Sequence, residues 1–165
     1  MDIENPEFVL FLKCAATNNL RYLCIGGYAV NFHGYHRVTE DLDIWIAPTV
    51  ENKTAFLNTL LSMGYIENEI SDIKEEDFTD YFICTLGVRP HVIDVLTIVH
   101  KNISFDEAEK EMIIHRTGEN TELRVVPYNF LKDIKLRSSR EKDLWDIARL
   151  EELRKRKNED GSENK

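Results

Sequence analysis

The chain has 165 residues, of which 42% are hydrophobic and 31% charged, and its formal net charge is −9. This length and composition are typical of one folded domain with its own apolar core. The negative net charge argues against broad, sequence-independent binding to nucleic acids, which needs a basic surface. The sequence has no apolar run long enough to span a bilayer and no signal-peptide pattern in residues 1–5, so we expect no membrane association.

The three cysteines, Cys14, Cys24 and Cys84, have neither metal-ligand spacing nor the even number of a disulfide framework. Each has apolar neighbours in the sequence, which is typical of small buried thiols in a reducing compartment. We therefore expect a cytoplasmic protein.

Apolar periodicity and cap residues predict helices and strands that alternate along the chain. Helices are predicted from residues 5–6 to 18–19, from about 28 to 33, from 49 to 64, from 104 onward, from 128 to 137, and from 140 to about 156. Strands are predicted over residues 22–25, 41–47, 78–84, 91–99, 112–116 and 123–126. The middle two strands are predicted to form a hairpin across Gly87 and Pro90, and the last two a second hairpin around Gly118.

The acidic stretch 66–80 is predicted to be either a solvated connection or an irregular acidic helix. The predicted elements together indicate a single α/β (α+β) domain over residues 1–157. A polar tail over 158–165 follows, and we expect this tail to be disordered.

The most informative part of the sequence is the run 25–44. Gly26 and Gly27 lie between a predicted strand and a predicted helix, where free backbone N–H groups favour a phosphate. Asp41 and Asp43 flank one leucine in the next strand, so their side chains point to the same face, about 6–7 Å apart along the backbone. Adjacent carboxylates repel unless a cation lies between them, which predicts a magnesium or manganese site.

Asp94 is a third candidate metal ligand. It is a single charge in the middle of the apolar run 92–96, where an ionised carboxylate needs a partner. A metal shared with Asp41 and Asp43 supplies that partner. Crowding and burial of these carboxylates predict a raised pKa for at least one of them.

These motifs resemble the nucleotidyltransferase superfamily typified by DNA polymerase beta. Members of that family carry a glycine pair or Gly-Ser after an apolar residue, then Asp-apolar-Asp, and later a third acidic residue between apolar ones. The matching residues, in the same order, are Gly26-Gly27, Asp41-Leu42-Asp43 and Ile93-Asp94-Val95. Further positions are similar to the nucleotidyltransferases of bacterial abortive-infection and toxin–antitoxin systems: His33-Gly34, Arg37, Thr39, Leu131, Lys135, Arg140, Lys142-Asp143 and Asp146.

The resemblance implies a nucleotidyltransferase fold, with a mixed β-sheet flanked by helices, C-terminal helices, and the three aspartates on adjacent strands. It implies a reaction in which a nucleoside monophosphate is moved from an NTP to an acceptor hydroxyl with two Mg²⁺ (or Mn²⁺) ions. Asp41, Asp43 and Asp94 are then the catalytic metal ligands, with Asp94 near the acceptor hydroxyl as general base. Because Gly27 replaces the serine of many relatives, phosphate contacts there must come from backbone N–H groups.

Two basic residues have alternative roles that the sequence leaves open. Arg37 contacts the triphosphate or forms a salt bridge with Glu40. Lys135 reaches the nucleotide or pairs with Asp143 across two helices. We predict both Arg37 and Lys135 as nucleotide-binding residues, together with Gly26-Gly27.

The acceptor is not specified by the sequence. The alternatives are tRNA, a protein side chain or a small molecule, and a toxin-like role with a cognate antitoxin follows from the resemblance. Rival functions are an antibiotic nucleotidyltransferase of the aminoglycoside type, which suits the acidic surface, and a non-catalytic nucleotidyltransferase-like binding module. The basic stretch 135–157 is a solvated helix face, or a surface for an RNA acceptor or an antitoxin.

Overall fold

Helices and strands follow one another in the order that the sequence predicts. The computed structural model describes residues 5–117 and 121–162. Its helices are α1 (Pro6–Thr17), α2 (Gly26–Phe32), α3 (Val50–Met63), α4 (Ser71–Glu75), α5 (Phe105–Lys110), α6 (Tyr128–Ser138) and α7 (Glu141–Ser162). Its strands are β1 (Tyr22–Cys24), β2 (Leu42–Ile46), β3 (Ile83–Val88), β4 (His91–Leu96), β5 (Ile113–Thr117) and β6 (Thr121–Val125).

The described strands form one sheet in the order β3-β4-β2-β1-β6-β5. β2 pairs in parallel with β4, and β1 in parallel with β6, while the remaining neighbours are antiparallel. The predicted mixed α/β architecture is therefore confirmed. In the parallel β2–β4 pair, Asp43 lies opposite Asp94, so the sheet register itself places two of the predicted site residues side by side.

Strand β2 shows how alternation directs side chains into the core. One face of the strand is fully buried, as predicted: Leu42, Ile44 and Ile46. Trp45 lies on the opposite face, which it shares with Asp43, yet it is only 1% exposed. The ring of Phe105 in α5 packs edge-on against it, with the ring centroids 5.1 Å apart. The Asp43 face of β2 is thus covered at its far end and remains partly accessible at Asp43.

A buried asparagine links α3 to the ends of β1 and β2. Asn52 is 3% exposed, and its Oδ1 accepts a hydrogen bond from the Arg21 N–H at 2.8 Å. Its Nδ2 donates to the carbonyl oxygens of Arg21 and Ala47, each at 3.0 Å. One amide side chain therefore satisfies three backbone groups where the ladder between β1 and β2 ends.

Predicted boundaries within the domain differ from the structure in three elements, of which the strand predicted over residues 91–99 already ends at Leu96. Helix α2 begins at Gly26 rather than near residue 28, so both glycines belong to its first turn. The first hairpin strand runs over Ile83–Val88 instead of 78–84. The reason is a local turn: the Asp77 carboxylate accepts a hydrogen bond from the Thr79 N–H at 2.8 Å, which competes with strand formation.

The ends of the predicted domain also differ. Helix α7 continues to Ser162, so the first part of the tail 158–165 is helical and the predicted disorder is wrong there. Residues 163–165, and the turn predicted around Gly118, lie outside the described residues. Within the acidic stretch 66–80, the short helix α4 occupies Ser71–Glu75. None of the described helices has the length and apolarity needed to cross a membrane.

Replacing Asn52 with alanine tests the linkage between α3 and the sheet. The Asn52→Ala variant removes the hydrogen-bond acceptor of the Arg21 N–H and one of the two donors to each of the carbonyl oxygens of Arg21 and Ala47. We therefore expect a loss of about 1–3 kcal/mol in the free energy of unfolding. Urea denaturation measures this loss. The matched control is Asn58→Ala, an exposed position on the same helix, which should change stability by less than about 0.5 kcal/mol. Equal losses in both variants would contradict the structural role of Asn52.

Candidate active site

Three carboxylates meet where β2 and β4 run side by side. Asp43 and Asp94 are register partners, and Asp41 directly precedes β2. One oxygen of each carboxylate lies within 4.8 Å of the others, and all three residues are half-buried. A single cation can contact three carboxylates at this separation. The structure therefore brings together the three residues that the sequence predicts as metal ligands.

The carboxylate of Asp43 is in an electrostatically unfavourable position. Burial raises its pKa to about 6, and the charges of Asp41 and Asp94 act in the same direction. A hydrogen bond from the Gly27 N–H and the nearby charge of Lys135 only partly oppose this rise in the pKa of Asp43. The predicted rise in pKa is confirmed for Asp43. A divalent cation between the carboxylates removes the repulsion that causes part of it.

Gly26 and Gly27 permit the close approach of two side chains. Gly26 has a φ of +60°, and a Cβ at this position would lie 1.8 Å from Oδ2 of Asp43. A Cβ on Gly27 would lie 2.2 Å from Oγ1 of Thr39. The Gly27 N–H, which we predicted to bind a phosphate, donates to Asp43. The glycine pair therefore positions the carboxylate of Asp43 in addition to any contact with a nucleotide.

Two threonines to which sequence analysis gave no role hold the other carboxylates. Thr39 Oγ1 donates to Asp41 Oδ1 at 3.0 Å, and Thr85 Oγ1 donates to Asp94 Oδ1 at 2.5 Å. Thr39 lies two residues before Asp41, so its contact is local and within reach of a sequence argument. Thr85 reaches Asp94 only through the register of the β3–β4 hairpin, for which the sequence carries no specific signal.

A cavity of about 180 Å³ opens beside Asp41 and Asp43. The glycine turn forms one of its walls, and α6, α7 and the turn between them form the wall opposite. Four basic residues line it: Arg37, Lys135, Arg140 and Lys142. Asp94 is outside its lining, so the cavity borders the carboxylates on one side only. Acidic groups facing basic groups across a small cavity suit a phosphate bound together with a divalent cation.

Two of the predicted nucleotide-binding residues take part in buried ion pairs. Arg37 donates from Nε and Nη2 to the two carboxylate oxygens of Asp146, at 2.9 and 3.1 Å. The Nζ of Lys135, a residue 4% exposed, lies 2.6 Å from Asp143 Oδ1 and 2.9 Å from Asp146 Oδ2. Of the alternatives from the sequence, the pairing of Lys135 with Asp143 is confirmed, whereas Arg37 pairs with Asp146 rather than with Glu40.

Asp143 joins the two C-terminal helices. Burial by itself raises its pKa, but hydrogen bonds from Lys135, Ser138 and Arg140 outweigh burial and bring the pKa down to about 2. Asp143 is thus ionised at neutral pH and fixes the turn between α6 and α7 beside the cavity. Among the residues that the structure describes, Lys142 lines the same cavity without an ion-pair partner, which leaves its charge available to a ligand.

Comparison of the chain with protein-family models and with curated proteins gives no match. The resemblance to nucleotidyltransferases therefore rests on the motif residues of the sequence alone.

The raised pKa of Asp43 predicts a pH-dependent effect of replacing it. The folded state holds a proton on Asp43 up to about pH 6, whereas an aspartate carboxyl in the unfolded chain releases its proton near pH 3.8. The ionised carboxylate therefore lowers the stability of the metal-free protein progressively as the pH rises from about 4 through about 6. Asp43→Asn should stabilise the protein in EDTA at pH 7 by up to about 3 kcal/mol, and by much less at pH 4.

Thermal or urea unfolding of both proteins at the two pH values measures this difference. Asp106→Asn, at an exposed acidic position in an ion pair, serves as the control and should show no gain at pH 7. A variant at residue 43 that is less stable than wild type in EDTA at pH 7 would contradict the crowded carboxylate cluster.

Proposed function

We propose that the protein is a metal-dependent nucleotidyltransferase, which transfers a nucleoside monophosphate from an NTP to an acceptor hydroxyl. The observation that carries this proposal is the convergence of Asp41, Asp43 and Asp94, with ligand oxygens within 4.8 Å of one another, beside a cavity lined by basic residues. Three carboxylates beside a phosphate-sized cavity are the groups that two-metal phosphoryl transfer requires.

The donor set suits Mg²⁺ or Mn²⁺. All three groups are hard carboxylate oxygens, which these ions prefer over softer ligands. Burial and the charges of Asp41 and Asp94 raise the pKa of Asp43, and the nearby charge of Lys135 offsets this rise only in part, which favours a cation at the cluster. When bound, two such ions would hold the triphosphate and stabilise the charge that develops during transfer.

The three aspartates have different roles in this proposal. Asp41 and Asp43 border the cavity and hold the cation that accompanies the triphosphate. Asp94 lies on the far side of Asp43, away from the cavity, where it accepts the proton of the acceptor hydroxyl as general base. The two flanking hydrogen bonds, from Thr39 to Asp41 and from Thr85 to Asp94, restrict the orientation of the outer carboxylates.

The phosphates are held by basic and backbone groups across the cavity. Lys142 and Arg140 lie at its rim and contribute charge from exposed side chains. Arg37 and Lys135 contribute their positive charge from buried positions, since their ion pairs fix them in the cavity wall. The backbone of Gly26-Gly27 completes the phosphate contacts once Asp43 turns towards a cation.

Three classes of acceptor hydroxyl are compatible with this reaction. The resemblance to abortive-infection and toxin–antitoxin nucleotidyltransferases supports a toxin-like role, with tRNA, a protein or a small molecule as acceptor and a cognate antitoxin as partner. An antibiotic acceptor of the aminoglycoside type is favoured only by the net charge of −9. A non-catalytic binding module is the less favoured alternative, because all three carboxylates are present and correctly grouped.

Thermal melting tests nucleotide binding directly. An NTP together with Mg²⁺ should raise the melting temperature of wild type, since a ligand at about 100 times its Kd contributes roughly 2.7 kcal/mol. The Asp43→Ala variant should lose that shift. The Asp94→Asn variant should keep it but transfer label from an α-³²P-labelled NTP to cell-extract acceptors about 10²–10⁴-fold more slowly. If the melting temperature of the Asp43→Ala variant rises as much as that of wild type, the carboxylates do not form the nucleotide site.

A further inference from the structure

The hydroxyl of Thr85 occupies the position that an acceptor hydroxyl needs. Its Oγ1 donates a hydrogen bond to Asp94 Oδ1 at 2.5 Å, and Asp94 is the residue assigned above as general base. Thr85 is exposed on β3, a strand at the edge of the sheet. A hydroxyl bound to the general base and accessible to solvent is a nucleophile ready for proton transfer.

The order of groups across the sheet places this hydroxyl opposite the cavity. Thr85 is the register partner of Asp94, and Asp94 is the register partner of Asp43. The next group after Asp43 is the glycine turn, since Oδ2 of Asp43 fills the space beside Gly26. A nucleophile on one side of the carboxylates and a phosphate cavity on the other is the arrangement that in-line displacement requires.

The separations are also compatible with attack. The oxygens of Asp43 and Asp94 lie within 4.8 Å of each other, and Thr85 Oγ1 is 2.5 Å beyond Asp94. An α-phosphate bound beside Asp41 and Asp43 would have the Thr85 hydroxyl on one side and the cavity on the other. Among the residues that the structure describes, the Thr85 side chain donates its hydrogen bond to Asp94, and Thr85 is exposed, so burial in the core does not account for the position of its hydroxyl.

We propose that Thr85 is an intramolecular acceptor, so that the protein nucleotidylates its own β3 strand. This inference rests on the proposed nucleotidyltransferase function. Thr85 Oγ1 forms a bond to the α-phosphorus of a nucleoside triphosphate, and the bond from that phosphorus to the bridging oxygen of the β-phosphate breaks. Pyrophosphate leaves, the hydroxyl proton passes to Asp94, and no atom is oxidised or reduced.

The modification has a consequence for the enzyme. A nucleotide attached to Thr85 removes the hydrogen bond to Asp94 and covers the side from which another acceptor must approach. The modified chain is therefore inactive towards external acceptors. Added pyrophosphate should reverse the reaction, since the same groups catalyse both directions.

The experiment is intact-mass spectrometry of the full-length protein, first as purified and then after incubation with each NTP and Mg²⁺. We expect each chain to gain the mass of one nucleoside monophosphate, which peptide sequencing maps to Thr85. The first-order rate constant of this modification should be independent of protein concentration. Thr85→Ser should still be modified, because it keeps a hydroxyl, and Thr85→Val should lose the modification at that position.

The matched control is Thr79→Val, since Thr79 also donates to an aspartate, Asp77, at 2.6 Å, and Asp77 is not one of the three clustered carboxylates. This variant should be modified like wild type. Melting of Thr85→Val with a non-transferable α,β-methylene NTP should give the wild-type shift, which separates loss of the acceptor from loss of the fold. If Thr85→Val does not fold, peptide maps of wild type and of the Thr85→Ser variant test the proposal, because both should carry the adduct at residue 85.

An adduct on another residue, or no adduct while the same sample labels acceptors in a cell extract, would overturn the role of Thr85 and leave the nucleotidyltransferase function standing. The absence of any adduct, any labelled acceptor and any NTP-dependent melting shift would overturn both. A fraction of chains modified per minute that rises in proportion to protein concentration would contradict the intramolecular step.

Discussion

Repulsion among three carboxylates is the constraint on which the site depends. Parallel pairing of β2 with β4 puts Asp43 beside Asp94, and the segment before β2 adds Asp41 within 4.8 Å. The fold tolerates this arrangement at a cost, because burial raises the pKa of Asp43 and the charges of Asp41 and Asp94 raise it further. In the proposed function, a divalent cation would offset that cost, so the cluster that weakens the metal-free protein would supply affinity for the metal.

A second set of charges, in contrast, is fully compensated. Lys135 and Arg37 share the carboxylate of Asp146, and Lys135 also pairs with Asp143. Buried pairs of this kind contribute little net stability, but removing one partner leaves a buried charge and is strongly destabilising. Their effect here is geometric, because they attach the α6–α7 turn to the segment before β2 and so close the cavity beside Asp41. The two clusters thus differ in their charge balance. The three carboxylates are only partly compensated, whereas the ion pairs of Lys135 and Arg37 fix the cavity wall beside them.

Much of this could be predicted from sequence because the informative residues are close together in the chain. Alternation along β2 placed Asp41 and Asp43 on one face, and the isolated charge of Asp94 in an apolar run indicated a partner. Of the two hydrogen bonds that sequence reasoning missed at the carboxylates, that of Thr39 to Asp41 is local, whereas Thr85 meets Asp94 only through the β3–β4 register. The boundary of β3 was also misplaced, since the turn at Asp77 depends on a side-chain hydrogen bond that competes with the strand.

The central claim is that Asp41, Asp43 and Asp94 bind divalent cations that carry a nucleoside triphosphate. Anomalous diffraction from crystals containing Mn²⁺ and an α,β-methylene NTP tests it most directly. The account predicts an anomalous peak about 2.0–2.3 Å from carboxylate oxygens of Asp41 and Asp43, with the triphosphate extending into the cavity lined by Lys142. Bound nucleotide without an anomalous peak at these carboxylates, or manganese bound only elsewhere on the protein, would contradict it.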